Sequence, residues 1–235
     1  MKNFYSLIIW FWIFILFAIF FSIVNILLFL PKKRYDPVLK WLTRLLLTLI
    51  GIKVEVEFSE IFDKNATYLF LSNHVNIFDP FLLYGYIPNV VRGVELEAQF
   101  KWPIYGRTIT RMGNIPIDRE NAKKALQSIK KAAIELRNGN SLIIFPEGHR
   151  TLDGNLGKFL RGSFVLAKDG GRDIIPIITS GGWEIYHRNS WNISPGKIKL
   201  NFGKVIKEKD FREITTRELR DLCRLRMEEL IKKGK

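Results

Sequence analysis

The chain opens on an unbroken apolar run. From Phe4 to Leu30 no residue carries charge, and at about 1.5 Å per residue a helix of that length covers about 40 Å, against a hydrocarbon core of about 30 Å. The pattern therefore predicts a membrane-embedded helix. A cleavable leader fits poorly, because the stretch is long and runs straight into Pro31-Lys32-Lys33-Arg34 with no small-residue cleavage site. A second pattern of helical period follows. Val38, Trp41, Leu42, Leu45, Leu46 and Leu49 share one stripe while Lys40 and Arg44 lie off it, as for a helix in the interface or packed on its neighbour. Gly51 ends that helix. Two arrangements stay open: a span followed by a surface helix, or a hairpin dipping into one leaflet.

Beyond residue 51 the period changes. Short apolar runs at Val54–Phe58, Tyr68–Leu71, Val90–Glu95, Asn114–Ile117, Leu142–Phe145, Ile174–Ile178 and Ile198–Phe202 predict strands. Helical patterns at about 80–87, 101–111, 120–137, 158–168 and 215–233 alternate with them. The expected architecture is a single three-layer α/β domain over residues 52–235, with a mostly parallel or mixed central sheet, preceded by a two-helix membrane anchor over residues 1–51. The order of the strands is not legible.

Composition narrows the partners. A chain of 235 residues, 47% of them hydrophobic, has room for one sizeable domain and an appendage. Its formal charge of +14 calls for something anionic: nucleic acid, an acidic protein or a negatively charged bilayer. With an apolar N-terminus the anionic phospholipid membrane is the expected surface, and no helix-turn-helix or RNA-binding signature supports nucleic acid. If the first segment spans, the basic cluster at 32–34 puts the rest on the cytoplasmic face of the cell membrane. Cys223, the lone cysteine, forms no internal disulfide, which suits a reducing compartment. The three histidines, His74, His149 and His187, stand at no metal-ligand spacing, so no metal is expected.

Chemistry concentrates at strand ends. Asn73-His74-Val75-Asn76-Ile77-Phe78-Asp79 puts a histidine five positions ahead of an aspartate at a strand-to-helix junction, with Asn76 read as the helix N-cap. From the first turn of the helix, Asp79 can hold one imidazole nitrogen and leave the other as a base for a hydroxyl. The plainer reading is a capping pair, Asn76 and Asp79, beside a polar loop histidine. Phe145-Pro146-Glu147-Gly148-His149-Arg150 places Glu147 on a tight turn after another strand. Gly113-Asn114-Ile115-Pro116-Ile117-Asp118-Arg119 delivers a guanidinium that can grip phosphate, or one that is simply solvated behind an Asp118 cap. Neither a Gly-x-Ser-x-Gly elbow nor a placed cysteine offers a covalent nucleophile.

Taken in order, these stretches resemble the boxes of the glycerophospholipid acyltransferase family. His74 and Asp79, preceded by Asn73, match its His-x-x-x-x-Asp box. Gly113, Ile115 and Arg119 match the second, Phe145 to Gly148 with Arg150 the third, and Pro176 the fourth. Within the family the chain is most similar to bacterial membrane-bound 1-acyl-glycerol-3-phosphate acyltransferases, and His149 departs from it where threonine is usual. The resemblance implies that His74 deprotonates the hydroxyl of lysophosphatidic acid and that Asp79 fixes its tautomer. It also implies that Arg119 and Arg150 hold the acceptor's phosphate in a pocket shaped by Glu147 and Gly148; Lys101 and Arg107, by their position between the first two boxes, are candidates to extend that basic site. No cofactor is implied beyond the co-substrate, a thioester of acyl-carrier protein or coenzyme A.

Overall fold

The computed structural model describes residues 2–118 and 121–233. Two helices come first, α1 (Lys2–Leu27) and α2 (Lys32–Leu49), joined by a turn at residues 28–31. Then strands β1 (Ile52–Phe58) and β2 (Leu69–Ser72), helix α3 (Asp79–Tyr86), strand β3 (Val91–Leu96), helix α4 (Tyr105–Met112), strand β4 (Ile115–Ile117), helix α5 (Ala122–Arg137) and strand β5 (Ser141–Ile144) follow. The chain continues through α6 (Arg161–Gly170), β6 (Ile174–Ser180), α7 (Gly182–Ile185), β7 (Gly196–Phe202), α8 (Glu208–Phe211) and α9 (Thr216–Lys233). Every expected strand forms, with no end more than two residues from its anticipated place. The expected helix at 101–111 resolves into a 3₁₀ turn, Glu97–Lys101, and α4. The one at 158–168 starts only at Arg161.

The seven strands make one mixed sheet in the order β1-β7-β6-β2-β5-β3-β4. β6, β2, β5, β3 and β4 run parallel, and β7 reverses against β6, with β1 parallel to β7. Alternation along the central strands explains the layers. Phe70, Ile143, Ile175 and Ile177 share a core with α1, α2 and α3; Leu69, Leu71, Leu142, Ile144 and Ile174 share another with α5, α6 and α9. Strands covered on both faces have no polar side to show, which is why β2 and β5 read as continuous apolar runs.

The first two helices belong to that packing. Ile13, Leu16, Phe20 and Val24 of α1 and Leu39, Leu46 and Leu47 of α2 join the same core as the sheet. α1 retains Leu7, Phe11, Phe14, Ile19 and Ile26 on an exposed side, and Tyr5–Leu27 is long and apolar enough to cross a membrane.

α2 differs from expectation at Lys40. Val38, Trp41, Leu45 and Leu49 are exposed, whereas the off-stripe Lys40 is buried. Lys40 pairs with Asp36 at 3.2 Å and donates to the carbonyls of Pro88 (3.0 Å) and Asn89 (2.7 Å), and Arg44 donates to Gly85 O at 2.7 Å. The physical reason is that Arg44 caps the Gly85 carbonyl in the last turn of α3 while Lys40 satisfies the Pro88 and Asn89 carbonyls of the turn that follows it. Val38, Trp41, Leu45 and Leu49 of the stripe are thereby turned outward, while Leu46 is buried in the core and Leu42 half-buried against it.

Candidate active site

The parallel strands β2, β5 and β6 deliver three loops to their common C-terminal edge, where open α/β sheets gather ligands. The loop after β2 carries His74, the loop after β5 carries Phe145 to Thr151, and the end of β6 carries Thr179 to Gly182. Each is tied to the first. Asn73 Nδ2 donates to Thr179 O (3.0 Å) while its Oδ1 accepts Thr179 N–H (2.8 Å). Asn76 Nδ2 donates to Gly182 O (3.0 Å), and Thr151 N–H donates to His74 O (2.8 Å). Asn73 is therefore a bracket between β2 and β6.

His74 and Asp79 come together. Asp79, fully buried in the first turn of α3, accepts His74 Nδ1 at 2.7 Å on Oδ2. The same oxygen accepts the backbone N–H groups of Val75 (2.6 Å) and Asn76 (2.9 Å). One carboxylate oxygen thus shapes the loop and fixes the imidazole, which leaves Nε2 as the free base. The N-cap position of α3 is Phe78 rather than Asn76, because Asn76 Oδ1 instead accepts Phe78 N–H (2.8 Å) in a local turn. The His74 side chain keeps 19% of its surface. Phe145 stacks on it with ring centroids 4.1 Å apart and planes at 17°.

Glu147 lies beneath this pair. Its Oε1 accepts His74 N–H at 2.9 Å and its Oε2 accepts Gly157 N–H at 2.8 Å. Burial pushes its carboxyl above the usual range, opposed by those two N–H groups. The turn closes with Gly148 N–H donating to Phe145 O (3.0 Å), and Gly148 takes φ +76°, a conformation that suits glycine. Arg150 is half-buried in the same loop, and its Nη1 has no hydrogen-bond partner among the described residues. A buried guanidinium nitrogen without a partner is a ready anion contact.

The second box is placed in part. Arg119 lies outside the described residues. Gly113 ends α4 at φ +80°, with the Arg92 side chain 3.1 Å from where a Cβ would stand. Asn121, not Asp118, caps α5 by accepting the N–H groups of Lys123 and Lys124; Asp118 accepts Asn121 N–H at 3.2 Å one turn earlier. Lys101 and Arg107 are exposed, and neither bonds to loop 73–79 among the described residues.

Behind Phe145 opens an apolar cavity. Phe20, Phe21 and Val24 of α1, Phe81 of α3 and Ile109 and Met112 of α4 line it together with Phe145. Its polar wall is a self-satisfied set: Glu95 accepts Tyr105 O–H at 2.5 Å and the amide of Asn114, whose Oδ1 accepts Gly93 N–H at 3.0 Å. Sequence reasoning found neither the Phe145 stack nor this cavity, since both depend on how α1 packs across strands far away in the chain.

Comparisons with known proteins converge on one group. The family model described as acyltransferase matches residues 53–180. A 1-acyl-sn-glycerol-3-phosphate acyltransferase of Cocos nucifera is 30% identical over 72% of this chain and 55% of its own length. That of Pseudomonas aeruginosa is 32% identical over 69% and 62%, and that of Haemophilus influenzae 27% identical over 92% and 90%. The chain thus spans little more than half the length of the Cocos nucifera relative. The crystal structure of the 1-acyl-sn-glycerophosphate acyltransferase of Thermotoga maritima superposes with a TM-score of 0.86 over 100% of this chain and 98% of that one, at 20% identity, a likeness of fold.

Proposed function

The chain belongs to the acyltransferase family, and on that premise we propose that it transfers a fatty acyl group from a thioester to the free sn-2 hydroxyl of 1-acyl-glycerol-3-phosphate, giving phosphatidic acid. The observation that carries the reading is the His74–Asp79 pair, 2.7 Å apart, set between solvent and the cavity behind Phe145. Asp79 accepts Nδ1–H, so Nε2 takes the hydroxyl proton as the oxygen attacks the thioester carbonyl. The C–O bond forms, the C–S bond breaks, and the imidazolium returns its proton to the departing thiolate. No acyl-enzyme is needed.

The other residues have supporting parts. Arg150, with Arg119 of the second box, holds the acceptor's phosphate, and Gly148 leaves that approach open. Glu147 positions His74 rather than touching substrate, since both its oxygens are occupied by backbone N–H groups. The apolar cavity receives an acyl chain. The donor is a thioester of acyl-carrier protein or coenzyme A.

Packing supports a placement in the membrane. The exposed apolar residues of α1 and α2 enter the lipid, and the surplus of cations favours anionic headgroups at about 1 kcal/mol for each well-placed charge. α1 contacts the α/β layers from Trp10 to Asn25: Trp10 Nε1 donates to Trp191 O (2.8 Å), Phe17 packs edge-on against Phe81, and Asn25 Nδ2 donates to Thr108 (2.8 Å). These contacts support a helix that dips into one leaflet over one that spans, and in our reading that leaflet is the cytoplasmic one.

The test is thiol release from an acyl thioester by the full chain in detergent, with and without lysophosphatidic acid, for the native chain and His74→Ala. Acceptor-dependent release with phosphatidic acid as product, abolished in the variant, is expected. Release indifferent to the acceptor or to the mutation would overturn the reading.

A further inference from the structure

On the layer opposite α1 and α2, a basic groove runs between α6 and α9. The two helices are antiparallel, since Lys168 near the end of α6 donates to Arg212 O (3.0 Å) ahead of α9 while Arg224 within α9 donates to Gly157 O (2.7 Å) ahead of α6. Two adjoining depressions that share Arg220 are lined by Lys158, Arg161, Lys168, Arg217, Arg220 and Arg224, against one lining carboxylate, Asp221. Three of the six cations serve the fold: Lys168 caps carbonyls, Arg220 pairs with Asp221 at 2.7 Å, and Arg224 pairs with Glu228 at 2.8 Å. Lys158, Arg161 and Arg217 are exposed and have neither an ion pair nor a side-chain hydrogen bond among the described residues. Three like charges without partners in one groove repel one another, and packing gives no reason to gather them.

Position narrows the partner. The upper end of the groove meets the catalytic loop through a short chain of contacts: Arg224 to Gly157 O, Gly157 N–H to Glu147, and Glu147 to His74 N–H. One buried side chain, Glu147, therefore separates the end of the groove at Gly157 from the backbone of His74. The groove is also on the far side of the sheet from the exposed apolar residues of α1 and α2, so when those lie in lipid it faces water. An anion that fills it arrives from the aqueous phase, not from the headgroup layer.

We propose that the α6–α9 groove docks the acidic surface of a water-soluble carrier protein that presents the acyl thioester to His74. The proposal rests on the reading above that the donor is a thioester. Its recognition is electrostatic, which speeds encounter and fixes orientation while remaining sensitive to salt.

The experiment uses the full chain in detergent, with acyl-carrier protein and acyl-coenzyme A as alternative donors, comparing the native chain with Arg161→Glu/Arg217→Glu. A rise of about tenfold in KM for the carrier donor is expected, with less than a twofold change for acyl-coenzyme A. Titration calorimetry with the acyl-free carrier supplies a readout independent of turnover: binding should weaken in the variant, and for the native chain it should weaken from about 50 mM to about 500 mM salt, over which the screening length falls roughly threefold. If charge reversal prevents folding, Arg161→Gln/Arg217→Gln should show a smaller rise of the same sign. Unchanged carrier binding in the variant, or no binding by the native chain, overturns the proposal. So does an equal KM rise for both donors, which would assign the groove to coenzyme A phosphates, and so does lost retention on phosphatidylglycerol vesicles with carrier binding intact. A native chain that binds the carrier but transfers from neither thioester would instead sink the functional reading and leave the docking surface standing.

Discussion

Glu147 Oε1 accepts the backbone N–H of His74 at 2.9 Å, so a carboxylate from the loop after β5 sets the height at which the imidazole of the loop after β2 is held. Its other oxygen fixes Gly157 at 2.8 Å, so the same side chain also decides where the chain enters α6. A buried charge with two backbone donors is strongly directional, and replacing it disturbs both loops at once.

Glu147→Gln retains one acceptor oxygen and turns an NH₂ toward the other N–H. We expect kcat to fall at least about tenfold and stability to drop by about 1.5–3 kcal/mol, the range for one lost hydrogen bond to a charged group. Gly157→Ala probes the same wire from its far end, because a Cβ there would stand 2.6 Å from Glu147 Oε2. It should lower kcat with less than a twofold change in the acceptor's KM. A raised KM with kcat intact would mean that Glu147 contacts substrate directly.

Asp79→Asn separates shape from electrostatics. The amide oxygen can still accept the Val75 and Asn76 N–H groups, yet an uncharged partner stabilises the imidazolium poorly and admits the wrong tautomer. Thermal unfolding should move little while kcat falls by about 10²–10⁴. Asp79→Ala, which strips the acceptor from three donors, should also lower the melting temperature. Equal activity in the Asn variant would remove Asp79 from the mechanism.

Much of this was legible because the signals are local. The seven strands announce themselves as short apolar runs, and His74 and Asp79 are close in sequence, so one loop suffices to join them. The hidden part depends on distant pairings. Asn73 with Thr179 and Asn76 with Gly182 lie 106 residues apart, and nothing in either segment names the other. Lys40 misleads for a different reason. A lysine off an apolar stripe reads as solvated, but here it is buried by donating to the carbonyls of Pro88 and Asn89, just past α3. The Phe145–His74 stack needed the register of β5 beside β2.

Glu95 makes stability depend on pH. Burial raises its carboxyl above the ordinary 4.5, opposed by the bonds from Tyr105 and Asn114. The folded chain therefore holds this proton more tightly than the unfolded one, so stability falls as pH rises from 4.5 through the raised folded value and then levels. Glu95→Gln should lack that component, so the native-minus-variant difference in denaturant unfolding should move against the native chain across that window. A difference that does not vary with pH would show that Glu95 holds no excess proton in the fold.

Cys223 should be inert. The thiol is fully buried on α9 and burial pushes its pKa up to about 12, so almost no thiolate exists at neutral pH. A colorimetric thiol reagent should find no protein thiol until denaturant is added, and one equivalent afterwards. Labelling of the folded chain would show that α9 opens, and would add a background to the thiol-release assay.

That inertness makes the native chain a clean host for mapping α1. Trp10 bonds to the Trp191 carbonyl near one end, and Arg111 lies over the Phe29 ring, 4.8 Å from its centroid, just past the other. Carrying the N-terminus through the bilayer would break the first contact set and strip Ile13, Leu16 and Phe20 from the core they share with the sheet. Burial of such side chains is worth about 1.5–3 kcal/mol each. Single cysteines at Asn3 and Arg34 bracket the helix. With both ends on one side, an impermeant maleimide should modify neither in intact cells and both in inverted membrane vesicles. Modification of Asn3→Cys alone in intact cells would mean that α1 spans, and that the packing of α1 on the α/β layers is not its state in the membrane.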